Sequence, residues 1–427
     1  MAHYEDHVWE GTPTAQTRRE RAACSYRAYV PDRLASRSLT LPADLVADLA
    51  DADRALAALQ HSPVGLASTE SVARLLLRAE AVGSSYIEGL QVDARRLARE
   101  EFAEHVGLPT TDQTARSVLG NIRAMRGALD LADRDRALTV DDLRALHRDL
   151  LAGTSDERWG GVVRTEQNWI GGANPCRAAY VPPPHEQVPA LLEDLCDFLS
   201  SDDYPAVIQA ALAHAQFETI HPFVDGNGRV GRALIHLVLR RRGVAPTFVP
   251  PVSLILATNA GAYIAGLVSF RYDGRPDQAS ANKAALQWID RFANELLRAC
   301  ADAAGFAEEL ARIEQRWRDA AGPVRRASAT DVLLSALPGL PILTVETASS
   351  AIGRSRKRTN DAVNHLAERG VLVQGTVGRR NRVFEVAGLL DALTGFERRL
   401  ASPAADTAVA RPTRAVPGRG RSRKASG

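Results

Sequence analysis

Apolar residues recur at helical spacing along most of the chain, and one stretch rich in glycine and proline interrupts them. Leu45, Leu49, Leu56 and Leu59 repeat three, four and seven apart, followed by Val72, Leu75, Leu76 and Ala79. That period turns one face of a helix toward a core, so a mainly α protein is predicted. Ser68-Thr69-Glu70 reads as the N-cap of the second helix, which runs to Ile87-Glu88-Gly89. Further helices are predicted near 115–133, 140–152, 186–200, 204–218, from 227 to a stop at Gly243, and over 259–320. The interruption lies at 159–184. Gly160, Gly161, Gly171, Gly172, Pro175 and Pro182-Pro183-Pro184 break any helix there. Val162, Val163, Trp169, Ile170, Tyr180 and Val181 can form short strands, so a β-hairpin is predicted.

The 427 residues exceed one ordinary domain. A composition of 45% hydrophobic and 24% charged residues fits a folded chain rather than a disordered one. The net charge of +2 hides an asymmetry. Residues 326–427 hold 17 Lys+Arg against 8 Asp+Glu, a net of +9, which leaves −7 for the rest. A basic quarter on an acidic body is the pattern of a chain that meets a polyanion. After Gly322-Pro323, helices near 330–336, 345–352 and 355–369 precede strands at 371–376 and 382–386, the plan of a winged helix-turn-helix. Ser355 is placed to cap the third helix. Arg356, Lys357 and Arg358 on its first turn oppose the helix dipole, which points to a functional reason. Phosphate and base contacts to DNA from that turn, with Arg379 and Arg380 on the wing, supply one.

The expected organisation is an arm over 1–30, an N-terminal helical region over 31–110, a core over 111–300, a connecting helix over 301–325, the winged module over 326–400 and a disordered basic tail over 401–427. The start has neither a basic nor an apolar leader segment, and no run approaches the ~18 apolar residues of a membrane span. Cys24, Cys176, Cys196 and Cys300 form no C-x-x-C pair. They read as reduced thiols of a cytoplasmic protein without membrane contact, and they argue against a zinc site or a disulfide set.

The chemistry concentrates in His221-Pro222-Phe223-Val224-Asp225-Gly226-Asn227-Gly228-Arg229-Val230-Gly231-Arg232. Glycines flank Asn227 just before a helix, whose unpaired N–H groups and positive end attract phosphate. Arg229 and Arg232 follow on the first turns. Asp225 beside a phosphate nest is a natural Mg²⁺ ligand, because Mg²⁺ takes one or two carboxylates plus phosphate oxygens. His221 is placed to take a proton from an attacking hydroxyl. Together the parts describe nucleotidyl or phosphoryl transfer.

The segment resembles the Fic motif, H-P-F-x-(D/E)-G-N-G-R-x-x-R, at every defined position. The resemblance implies a Fic-type helical core with a short β-hairpin flap, and transfer of AMP from ATP to a Ser, Thr or Tyr hydroxyl of a protein. It implies His221 as general base and Asp225 as the Mg²⁺ ligand. Gly226, Asn227 (by backbone and side chain) and Gly228 would cradle the α- and β-phosphates, with Arg229 on the phosphates and Arg232 on the γ-phosphate. Phe223 is expected as a core anchor and His214 as a buried structural histidine. Asn168, Trp169, Ile170, Gly171 and Gly172, with Arg164 and Tyr180 nearby, match the flap that docks a target segment by main-chain pairing. Where the family carries an arginine and paired tyrosines, this chain has Asn259 and Tyr263, four apart and expected to flank adenine or ribose.

Ser84-Ser85-Tyr86-Ile87-Glu88-Gly89 resembles the family's inhibitory pattern, (S/T)-x-x-x-E-(G/N). Ser84 and Glu88 share a helix face, and the resemblance pairs Glu88 with Arg232, which would hold ATP in an unproductive pose. The resemblance also allows self-modification and a homodimer. Two alternatives stand beside it. One is a DNA-binding regulator with an ATP-sensing core. The other is an enzyme working in reverse, removing AMP with water placed by Glu88.

Overall fold

The structure, a computed structural model, describes residues 1–11, 22–35, 37–61, 66–109, 112–377 and 381–400. The chain begins with strands β1 (His3–Trp9) and β2 (Cys24–Val30). Helices α1 (Ala43–Gln60), α2 (Leu66–Ile87), α3 (Ala94–His105), α4 (Gln113–Ala132) and α5 (Val140–Leu151) follow. After the glycine- and proline-rich stretch come α6 (Val188–Ser200), α7 (Ala206–Ile220), α8 (Asn227–Arg241), α9 (Val252–Thr258), α10 (Ala260–Phe270) and the long α11 (Ala279–Ala321). The C-terminal part holds α12 (Ala329–Ala336), β3 (Ile342–Leu343), α13 (Val345–Ile352), α14 (Arg356–Glu368), β4 (Leu372–Val377), β5 (Asn381–Val386) and α15 (Leu389–Leu400).

Helix α7 buries every one of its residues, and α8 is buried from Asn227 to Leu239. A helix apolar all round belongs at the centre of a core, so the hairpin of α7 and α8 is the hub and its connecting loop, 221–226, is the candidate site. Around the hub pack α2, α4, α5, α6 and α11. The Trp288 indole of α11 donates to the Ala211 carbonyl of α7 at 2.7 Å. Thr139 and Asp142 form a reciprocal capping box on α5.

Several expectations need correcting. Helix α2 starts at Leu66, so Ser68, Thr69 and Glu70 lie inside it rather than at its cap. Ser355 occupies the N-cap of α14, but its side chain makes no capping hydrogen bond. The hairpin expected in 159–184 shrinks to a single antiparallel bridge, Ile170 with Tyr180. The reason is local: Pro182 to Pro184 have no N–H to give to a ladder, and Gly171 and Gly172 adopt φ of +70° and +75°. The division expected at residue 300 falls within the unbroken helix α11.

The arm expected over 1–30 contains an antiparallel ribbon, His3 opposite Val30 through Trp9 opposite Cys24. Its base is held by the Tyr29 amide on the Val181 carbonyl at 3.0 Å and by the Tyr29 hydroxyl on Tyr272 O at 2.8 Å. Its outer end is joined to the 159–184 stretch by a disulfide, Cys24–Cys176. The reading of all four cysteines as free thiols is therefore wrong for two of them. Cys196 and Cys300 are free and buried.

In the C-terminal part, β5 is the central strand of an antiparallel sheet ordered β3-β5-β4. The helices and strands expected from 330 to 386 are present; β3 and α15 were not anticipated. This part is seated on the body. Arg95 of α3 makes a two-pronged contact with Glu385 at 2.7–3.0 Å, and Phe306 of α11 stacks on Phe396 at 4.3 Å. The expected disordered tail, 401–427, lies outside the described residues, as do Arg379 and Arg380.

The disulfide is directly checkable. Alkylation of unfolded, unreduced protein should label two thiols, Cys196 and Cys300, and reduction should raise the count to all four. Four labelled thiols without reductant would contradict the ribbon's attachment.

Candidate active site

Loop 221–226 reverses the chain between α7 and α8, and its own residues hold it shut. His221 ends α7 with φ +49°, a left-handed conformation rare for a residue with a side chain. Such backbone states persist where the surroundings over-determine them. Here Arg164 Nε donates to the His221 carbonyl at 3.0 Å, and Asn168 Nδ2 reaches Phe223 O at 3.1 Å. Gly226 begins α8 at φ +79°, and an added Cβ would lie 2.7 Å from the Leu150 side chain and 3.3 Å from His147. Glycine is required there on both counts.

Asn227 does something other than expected. Its side-chain oxygen accepts from the Phe223 amide and its NH₂ donates to the Phe223 carbonyl, both at 2.8 Å. Both ends of the amide close the loop, so the side chain is not free to meet a phosphate. Phe223 is a buried anchor, as expected, stacked on His147 at 3.8 Å. His147 itself was missed. Its Nε2 donates to the Asp225 carbonyl, and its Nδ1 accepts from the Gly161 amide, both at 2.9 Å. A histidine in the middle of an ordinary amphipathic helix gave no sign of this.

Asp225 is 62% exposed at its side chain and meets the buried Arg229 at 2.9 Å. One carboxylate at a helix start suits Mg²⁺, which completes its shell with water and phosphate oxygens. Among the described residues, no cluster of three metal-ligating side chains occurs. The donor set therefore fits a metal that arrives with a phosphorylated ligand.

Arg232 is 1% exposed. Its NH2 donates to Glu88 Oε1 at 2.7 Å and to the Ser84 carbonyl at 2.8 Å, and its Nε donates to Ser84 Oγ at 2.9 Å. The resemblance implies the pairing of Glu88 with Arg232, and the fold makes that contact across 144 residues of chain. The Glu88 carboxylate lies directly over Gly228, where an added Cβ would overlap it. Thus Glu88 occupies the space at the first turn of α8.

Behind Arg232 sits a buried layer. Tyr263 is stacked on His214 and bonded to it at 2.9 Å. Asn259 caps α10 by accepting from the Ala262 amide at 3.2 Å. Tyr263 is buried, while Asn259 is exposed at the start of α10. His214 is the buried, hydrogen-bonded histidine expected. Glu218, one turn before His221, is also buried, and burial pushes its carboxyl up to about 7. Burial, with Arg164, holds the His221 imidazole down to about 4. Its Nδ1 has no partner among the described residues. His221 is thus a neutral base at ordinary pH.

The flap residues lie beside the loop. Trp169 meets Trp9 of the ribbon edge-on at 6.4 Å, and Gly171 and Gly172 make the turn before the disulfide-bonded Cys176. Tyr180 donates to the Thr219 carbonyl at 2.7 Å, with Arg271 over its ring. Arg356, Lys357 and Arg358 are exposed on α14 and do not join this site.

Residues 137–239 match the Fic/DOC family, and residues 46–130 match the Fic/DOC family N-terminal region. The matched regions, 46–130 and 137–239, are those of a Fic/DOC family protein. It is 34% identical over 149 residues to the protein adenylyltransferase fic-1 of Caenorhabditis briggsae, covering 34% of this chain and 27% of that protein. It is 32% identical over 184 residues to the protein adenylyltransferase Fic of Drosophila virilis, covering 36% of each. The chain thus spans well under half the length of the curated relatives it matches. A Fic family protein of Desulfovibrio desulfuricans G20 superposes with a TM-score of 0.49 at 21% identity, over 82% of this chain and 97% of that one.

The Fic loop makes a titration prediction. His147 and His221 are held near 4 and His214 near 3, mainly by burial, against an ordinary 6.5. The unfolded chain takes these protons first, so each histidine removes stability as pH falls from 6.5 toward 4. Glu218 acts oppositely, removing stability as pH rises from 4.5 through 7. In an NMR titration the three imidazoles should stay neutral at pH 5.5. A His221 midpoint near 6.5 would contradict its placement.

Proposed function

We propose that this chain is a protein adenylyltransferase held off by its own helix α2. The observation that carries the reading is the Glu88–Arg232 contact at 2.7 Å, set over Gly228 on the first turn of α8, just after an intact Fic loop. The adenylyltransferase names of the relatives support the same reaction.

In this reading the first turn of α8 receives the phosphates of ATP. The backbone of Gly226 to Gly228 approaches them, Arg229 and Arg232 supply positive charge, and Asp225 holds Mg²⁺, which would neutralise phosphate charge. His221 takes the proton from a target hydroxyl. The hydroxyl oxygen bonds to the α-phosphorus, the bond from that phosphorus to the bridging oxygen breaks, and pyrophosphate leaves. The neutral imidazole suits this role, since a base must be unprotonated to act. The flap around Asn168 to Gly172 would align the target strand. While Glu88 holds Arg232, the γ-phosphate has no guanidinium to meet, and transfer is slow.

Removing the carboxylate should release the site. Glu88→Gly is expected to raise incorporation of labelled AMP by about 10- to 100-fold, the range of a charge-assisted hydrogen bond. His221→Ala in the Glu88→Gly background should abolish it. Labelling that survives the double substitution would rule out His221 as the base.

A second reading concerns residues 326–400, which we read as a winged helix-turn-helix that contacts DNA. Arg325, Arg326, Arg354 and Arg358 line one cleft of about 630 Å³, with Arg356 and Lys357 exposed beside it. If four phosphates are gripped there, duplex affinity of the full chain should fall about 100-fold between roughly 50 and 200 mM salt. Affinity that ignores salt would reject a phosphate contact.

A further inference from the structure

Two turns before Glu88 on α2 lies Glu80, a carboxylate with no solvent exposure. Its Oε1 accepts from His236 Nε2 of α8 at 2.8 Å and from Ser253 Oγ of α9 at 2.5 Å. Its Oε2 accepts from the Ser253 amide at 2.7 Å. His236 is 2% exposed and Ser253 fully buried. The motif chemistry uses none of these three residues.

Their placement is specific. Glu80, Ser84 and Glu88 fall on successive turns of one face of α2. His236 and Arg232 fall on successive turns of α8. Where Glu88 meets Arg232, Glu80 meets His236, so the two helices are joined at two rungs running in opposite directions. The rest of α2 is held around the same turns. Asn121 Nδ2 of α4 donates to the Ala81 carbonyl at 2.9 Å and to Ser85 Oγ at 3.2 Å. At Gly83 the backbones of α2 and α9 touch, since an added Cβ would lie 2.6 Å from Leu254 N.

A carboxylate buried with its donors adds little net stability, because it loses water. Burying it without them is strongly unfavourable, which makes such a clasp a device for choosing one register. Sliding α2 by one turn moves its side chains about 5.4 Å. A slide in either direction would carry Glu80 out of hydrogen-bond reach of both His236 and Ser253.

We propose that Glu80 is the positioning residue of the inhibitory helix: its clasp on His236 and Ser253 sets the register that delivers Glu88 to Arg232. The proposal rests on the reading of α2 as an inhibitor. It also assigns a route for relief. With Glu80 fixed, Glu88 leaves by unwinding the end of α2 at Gly89, whose φ is +80°, and the body of the helix stays in place.

The test is AMP transfer by the full chain as wild type, Glu80→Ala, Glu88→Gly and the double variant, with melting temperatures alongside. Glu80→Ala should raise transfer at least about fivefold and move the KM for ATP toward the Glu88→Gly value. In the double variant, Glu80→Ala should add nothing, because the group it positions is gone. A residue that only stabilises the fold would instead lower activity in both backgrounds. Should Glu80→Ala fail to fold, Glu80→Gln keeps the volume and Ser253→Ala removes one hydroxyl; each should give a smaller rise that also vanishes beside Glu88→Gly. Glu88→Gly protein no more active than wild type would reject the inhibition and this proposal with it. Active Glu88→Gly protein with silent Glu80 and Ser253 variants, or with effects that multiply, would reject the role of Glu80 alone.

Discussion

A guanidinium buried in a protein must be paired, and the candidate site is organised by that demand. Arg232 lies in the most buried helix pair of the molecule, beneath the turn that the Fic loop presents to a ligand. Water cannot solvate it, so acceptors of the protein or of a ligand must, and an anion serves best. In the structure Glu88 fills that role, and Ser84 accepts from Nε and NH2. In the adenylyltransferase reading, the same physics that suits Arg232 to a phosphate makes it a strong partner for a carboxylate. Competition between the two is built into its burial.

The surrounding layers keep this competition well defined. Gly228 leaves room for the Glu88 carboxylate, and Gly231 lets α7 and α8 approach so closely that a Cβ would press within 2.6 Å of Glu218. Asn227 fastens the loop to itself, Arg164 and Asn168 fasten it to the flap, and His147 supports it from below. Each contact removes a freedom that a bound phosphate would otherwise have to remove, which is the meaning of a preorganised site. The neutral His221 fits the same plan, because burial keeps it unprotonated without a carboxylate partner.

Much of this was legible in the chain, and the limits were physical. Helical period exposed most helices because each buries one face. The loop from His221 to Arg232 was legible because its residues are neighbours in sequence, and Glu88 was legible because a known pattern carried it. Pairs made by the fold alone left no such mark. Cys24 and Cys176 lie 152 residues apart, and Glu80 and His236 lie 156 apart, at spacings that signal nothing. The N-terminal ribbon escaped because β1 has few apolar residues and exposes two of them, Tyr4 and Val8. Asn227 and Tyr263 were identified as important by position, while the groups they bind depended on three-dimensional neighbours.

Helix α11 carries one more consequence. Forty-three residues long, about 65 Å at the usual rise, it places Trp288 against His214 at one end and Trp317 against the Ala387 carbonyl at the other. Phe306, Leu310, Ile313 and Trp317 are all buried. A molecule cut after residue 300 would lose the far half of this beam. One cut after residue 325 would keep the beam and lay part of its apolar stripe bare. The Fic body and the basic module therefore share a structural member, and dissecting them means rebuilding a surface rather than severing a tether.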